Sequence, residues 1–316
     1  MSHSTRRRRV AVLPVADSKI AVYGAIAANV AIAATKFVVA GITGSSAMLS
    51  EGIHSAVDSG NGVLMLIGTR LSERKATPEH PFGHGKELFF WSLIVAVLVF
   101  GLGGGLSIFE GVQHILNPAP LRDPQWNYVV LVAAAIFEGA SFSIALRVFL
   151  REKGARPFWQ ALHASKDPLT YTVLGEDFAA LAGLAVAAAG IFISHRFDMP
   201  KADGVASVVI GVILAGVAVL LIREARGLLI GEGIRADTAA AIRELLGRHP
   251  LVRNVGPLLS MYIGPDQVLL TLDVEFDPKA SARSISSAVK SLEQEIRARF
   301  DKITRIYIEA RAVDAR

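Results

Sequence analysis

The stretch Ser50-Glu51-Gly52-Ile53-His54-Ser55-Ala56-Val57-Asp58-Ser59-Gly60-Asn61 sets a histidine and an aspartate four residues apart inside an apolar run. On a helix that spacing puts both side chains on one face, and Asn61 continues the face one turn on. An imidazole nitrogen and a carboxylate oxygen at i, i+4 make half a site for a divalent metal of the zinc type. If the helix starts near Ala47, Asp58 lies roughly 16 Å along it, close to the middle of a bilayer. A carboxylate at that depth costs about 2.5–3.5 kcal/mol even on the lenient insertion scale, so something must compensate. A second apolar run carries Val173-Leu174-Gly175-Glu176-Asp177-Phe178. Its two acids sit about 14 Å into their helix, a matching depth. Asp177 is the preferred third ligand. Glu176 points about 100° round the helix, as a weaker ligand or a group that supports one. Asn61 reads first as a hydrogen bond between helices and only second as a ligand. The rival readings of His54 and Asp58 are a plain helix–helix contact and a metal-free proton path.

A second cluster, Pro78-Glu79-His80-Pro81-Phe82-Gly83-His84-Gly85-Lys86, puts His80 and His84 four apart on a loop. It reads either as a secondary metal site or as ordinary surface histidines. His114, His163, His195 and His249 are isolated in sequence and read as surface or helix-end residues. Lys36 is expected to snorkel from the outer end of its helix, and Glu51 to be wet at the start of the next. Glu110 and Glu138 receive no role. There is no His-Glu-x-x-His and no phosphate loop, so no catalytic constellation appears. Gly101, Gly103, Gly104 and Gly105 lie inside an apolar segment and read as helix packing, not a nucleotide cradle.

These residues need long apolar helices to hold them, and the composition supplies them. The chain has 316 residues, is 52% hydrophobic and only 19% charged. That excludes a disordered chain and disfavours a soluble enzyme. With no cysteine there is no disulfide, thiolate zinc site or cysteine nucleophile. Six apolar blocks fall at Ser18–Ile42, Ala47–Thr69, Leu88–Leu116, Trp126–Leu150, Pro168–Ile193 and Ala202–Ile222. Each is near or above the length that crosses the hydrocarbon. The first is too long for a cleaved signal peptide, and similar blocks follow it. Arg6 to Arg9, Arg70, Arg74, Lys75, Lys86, Arg151, Lys153, Arg156, Lys166, Arg223 and Arg226 gather on one set of loops. The positive-inside rule then puts both termini in the cytoplasm. The net charge of +5 is read through the membrane flanks rather than through nucleic acid.

After Gly233 the pattern predicts a helix over 238–248, with Asp237 as its N-cap, then strands over 253–263 and 267–276. A further helix carries Ile285, Val289, Leu292 and Ile296 on one face, and a last strand covers 305–311. The expected fold class is a six-helix membrane protein with a small C-terminal α+β domain of αββαβ order, its one sheet antiparallel and helices on one face. The expected domains are a basic segment over 1–17, a membrane domain over 18–230 and a tail domain over 231–316.

The chain resembles the cation diffusion facilitator family. The resemblance rests on the six blocks, on Ser-Glu-Gly-Ile-His54-Ser-x-x-Asp58 and on Pro-Phe-Gly-His-Gly-Lys at 81–86. Glu-Gly-Val-Gln-His-Ile at 110–115, Asp203-Gly-x-Ala-Ser and Leu-Leu-Ile-Gly-Glu at 228–232 add to it. It implies a homodimeric exporter of zinc or a related divalent cation, proton-coupled, with a ferredoxin-like tail that helps dimerise, in a bacterial plasma membrane. It implies a transport site from the second and fifth spans, mapping to His54, Asp58 and Asp177. The fourth family position falls on Val173, which cannot ligate and resembles a subgroup with Glu-Asp in this span. The last strand reads Arg305-Ile-Tyr-Ile-Glu-Ala, without the histidine and aspartate of metal-sensing tails, so no strong metal site is expected there. Manganese, iron, cobalt and nickel remain alternative cargoes. A non-transporting scaffold or metal-responsive regulator is the alternative function. Neither reading requires a prosthetic group.

Overall fold

A computed structural model describes residues 15–153, 157–158 and 167–312. The basic stretch Arg6 to Arg9, Arg156, His163 and Lys166 lie outside the described residues. Among the described residues the membrane portion holds six long helices: α1 (Val15–Thr43), α2 (Ser46–Ser72), α3 (Glu87–Leu116), α4 (Gln125–Lys153), α5 (Pro168–Arg196) and α6 (Lys201–Ile230). They occupy the six apolar blocks. Among the described residues α3 to α6 are long and apolar enough to cross a membrane on composition alone. α2 is not, because its inward face is polar: Ser50, Glu51, His54, Ser55, Ser59 and Asn61 are buried while Val63 and Ile67 face outward. That inversion suits a helix bathed in lipid on one side and lined with function on the other.

Two devices set α2 in place. Gly44 takes a left-handed φ of 74°, which lets α1 end and α2 begin with only Gly44 and Ser45 between them. The buried Asp203 carboxylate of α6 then accepts from Ser45 Oγ at 2.7 Å, from Ser46 N at 2.6 Å and Ser46 Oγ at 3.0 Å, and from Ala47 N at 3.3 Å. A negative charge at the positive end of α2 satisfies backbone donors that the helix itself leaves open. α3 is π-helical over Val99–Gly105 and lies against α6. A Cβ on Gly104 would meet the Gly211 carbonyl oxygen at 3.1 Å, and one on Gly111 the Gly204 oxygen at 2.6 Å. Backbone thus touches backbone between these helices, as small residues in lipid allow.

The tail domain follows as α7 (Ala236–Gly247), β1 (Val252–Gly264), β2 (Gln267–Phe276), α8 (Ala282–Arg299) and β3 (Ile303–Ala312). Strand order is β1-β2-β3. β1 and β2 are antiparallel, but β3 runs parallel to β2. The expected all-antiparallel sheet is therefore corrected to a mixed one. A full helix between two strands carries the chain back to the end where β2 began, so β3 restarts in the same direction. The N-cap is also corrected: Arg235 occupies that position of α7 without a side-chain cap bond, and Asp237 sits in the first turn, paired to the Arg235 guanidinium at 2.9 Å. Val268, Leu270, Leu272, Val274 and Phe276 point to one face of β2 and pack with Ile242, Leu246, Leu292 and Ile296 of α7 and α8. The same apolar cluster continues into Phe89, Tyr171, Leu221 and Leu228 of the membrane helices.

Candidate metal centre

His54 and Asp58 share the inner stripe of α2, with His54 Nδ1 3.4 Å from Asp58 Oδ1. Neither imidazole nitrogen makes a hydrogen bond, and Asp58 Oδ1 and Asn61 Oδ1 are likewise buried without a partner. Buried polar atoms are normally satisfied, so a run of unsatisfied nitrogen and oxygen atoms along one stripe calls for a ligand. The oxygens and one nitrogen of a neutral imidazole are lone-pair donors of the kind a cation takes.

The hydrogen bond from this stripe to α5 runs to Glu176, not to Asp177. Asn61 Nδ2 donates to Glu176 Oε1 at 2.7 Å. Asp177 Oδ2 instead accepts from Ser141 Oγ of α4 at 2.9 Å. Thr172, Ala179, Ala180 and Gly183 are buried, whereas Val173 is 39% exposed. The structure brings His54, Asp58, Asn61 and Glu176 to one helix–helix seam and holds Asp177 toward the neighbouring helix. Among the described residues no three His, Asp or Glu side chains stand close enough to grip one ion.

Two sequence expectations fail nearby. Lys36 does not snorkel, and Glu51 is not wet: both side chains are completely buried. The Lys36 ammonium donates to Glu51 Oε2 at 2.9 Å and to Ser55 Oγ at 2.8 Å, clamping α1 to α2. The reason is the tight α1–α2 turn. Lys36 lies eight residues before Gly44 and Glu51 seven after it, so a helical hairpin lays them side by side. That symmetry about a glycine was a signal in the sequence. His114 sits in the last turn of α3, as a helix-end residue, and its Nε2, buried without a hydrogen bond, lies 3.9 Å from Asp203 Oδ2.

On the loop, His80 and His84 stack with ring centroids 4.5 Å apart. They border an open cleft of about 560 Å³ shared with Glu87, Met261 and Ile263. His80 is exposed, while His84 is half-buried with an unpartnered Nδ1. In the tail, His249 Nδ1 accepts from the Leu251 amide at 3.3 Å and so closes a turn.

Residues 22–230 match the family model described as the cation efflux transmembrane domain. This chain belongs to the cation efflux family. The family match covers the whole seam between α2 and α5 and stops where α6 ends. The chain is 33% identical over 244 residues to the mitochondrial proton-coupled zinc antiporter SLC30A9 of Xenopus laevis, a match spanning 77% of this chain and 44% of that protein. It therefore spans less than half the length of that relative. It is 31% identical over 291 residues to the cation-efflux pump FieF of Cronobacter sakazakii, across 88% of this chain and 90% of the pump. A solved nickel form of the MamM C-terminal domain aligns with 25% of this chain and all of that chain, at 19% identity and a TM-score of 0.24. The cation efflux chain is thus a multi-pass helical membrane protein with a small α/β tail, and its relatives carry transporter names.

Proposed function

We propose that this chain exports a divalent cation from the cytoplasm in exchange for protons, with zinc as the first candidate cargo. The observation that carries the reading is the pair His54 and Asp58, buried inside a membrane bundle with unsatisfied nitrogen and oxygen atoms, facing Glu176 across a seam. Metal capture requires neutral imidazole and ionised carboxylates, so loading the site releases protons and protonation from the far side expels the ion. Asn61 and Ser141 act as stand-in partners that hold the Glu176 and Asp177 carboxylates until an ion arrives. Capture exchanges those hydrogen bonds for metal bonds, with His54, Asp58 and Asp177 as ligands and Glu176 or Asn61 completing the set. Opening the seam to one face and then the other gives alternating access at mid-membrane depth. The Xenopus relative's name speaks for zinc. The imidazole and carboxylate donors also suit manganese, iron, cobalt and nickel.

The loop pair His80 and His84 is read as a secondary site on the cytoplasmic side. The basic loops place both termini there. We take 1–17 as a basic segment, 18–230 as the transport domain and 231–316 as the tail domain, with the protein working as a homodimer. The test is zinc uptake into liposomes holding a metal-sensitive dye. Asp58→Ala is expected to lower flux by about 100-fold. Undiminished flux in that variant refutes the site. No metal flux from the unsubstituted protein favours a scaffold or regulator on the same fold.

A further inference from the structure

The exporter reading gives the buried Glu51 no part in transport. Glu51 lies one turn from His54 toward the N-terminal end of α2, the end that this reading turns away from the cytoplasm. It belongs to the same stripe: Glu51, His54, Ser55, Asp58 and Asn61 follow one another at helical spacing. Glu51 Oε2 takes the Lys36 ammonium at 2.9 Å, while Oε1 is buried with no partner. On the side away from Lys36 the carboxylate presses against α5 at Gly183, where any Cβ would collide with Oε1. The Ser55 hydroxyl accepts from the same ammonium at 2.8 Å. Two oxygens, Glu51 Oε2 and Ser55 Oγ, thus hold a buried positive charge between α1 and α2, and the free Oε1 beside them faces α5. The charge is a compact ammonium on a flexible stem.

We propose that Glu51 and Ser55 form a second station for the divalent cation, on the exit side of the His54–Asp58 pair, with Lys36 as its tethered occupant. The ammonium neutralises the carboxylate while no ion is present. A divalent ion leaving the first pair reaches Oε1 one turn on, and its charge displaces the ammonium from Oε2. As the ion departs, Lys36 returns and its like charge opposes re-entry. The oxygen donors suit a hard or borderline divalent ion. The inference rests on the exporter reading.

The test compares three full-length proteins: unsubstituted, Lys36→Met, and Lys36→Met combined with Glu51→Gln. Bound zinc per chain is counted after equilibrium dialysis. Lys36→Met is expected to hold one zinc more than the other two, because its freed carboxylate is available. In liposomes the double variant is expected to bind zinc at the first site as the unsubstituted protein does, yet carry it about tenfold more slowly. Equal zinc counts in folded Lys36→Met and the double variant overturn the proposal, as does an unsubstituted rate of flux in the double variant. If Lys36→Met does not fold, the flux of the double variant decides alone, since its neutral pair keeps both side-chain shapes. Absence of flux in the unsubstituted protein would instead overturn the exporter reading.

Discussion

Asn61 of α2 donates from Nδ2 to Oε1 of Glu176 on α5 across 2.7 Å. The bond ties the two helices together one turn from Asp58, and it leaves Asn61 Oδ1 without a partner. One amide therefore secures the carboxylate of one helix while offering its own oxygen to the seam.

Asn61→Leu removes that donor and leaves the Glu176 oxygen buried and unpaired. The expected cost is about 1–3 kcal/mol of stability. Chemical denaturation in detergent measures it. Zinc affinity, read by competition with a chelating dye, is expected to fall about tenfold as Glu176 loses its orientation. Unchanged affinity would mean that neither Asn61 nor its bond to Glu176 contributes to holding the ion.

Asp203 accepts from Ser45, Ser46 and Ala47 at the start of α2. Losing an ordinary N-cap costs about 1 kcal/mol. Here several buried donors lose one acceptor together, so Asp203→Ala is expected to cost roughly 3 kcal/mol. Asp203→Asn keeps one acceptor oxygen and should fall between the two. Midpoints of chemical unfolding rank the three proteins, and a midpoint for the alanine variant equal to the parent's would contradict this role.

In the tail, the Lys279 backbone N–H and then the Arg253 guanidinium hold the Asp277 carboxyl below its ordinary value of 3.8. A depressed folded-state pKa stabilises the fold above the unfolded value, and the benefit drains away as pH falls toward the folded value. Protection of β2 amides from hydrogen exchange should therefore drop as pH is lowered below about 4. Asp277→Asn should lessen that drop. The same acid response in both proteins would remove Asp277 from the account.

Much of this arrangement could be read from residue order, because periodicity reports which side chains share a face. The alternation of Leu270, Leu272, Val274 and Phe276 defined β2 and its core side. The polar stripe of α2 was visible as chemistry out of place in an apolar run. What periodicity cannot report is which neighbour a face meets. Glu176 and Asp177 are adjacent, yet one bonds α2 and the other α4, and only the packed rotation of α5 decides between them. Lys36 and Glu51, each taken against its own helix, both read as water-facing. Their pairing is a property of the hairpin. The direction of β3 followed from the length of α8, a topological fact that strand composition does not carry.

The apolar cluster that runs from Phe276 and Leu292 through to Leu228, Tyr171 and Phe89 has no break at the end of α6. A chain shortened at Ile230 would strip cover from those membrane-side groups and leave a greasy scar facing water. The tail thus serves as the lid of an apolar patch on the cytoplasm-side ends of the membrane helices.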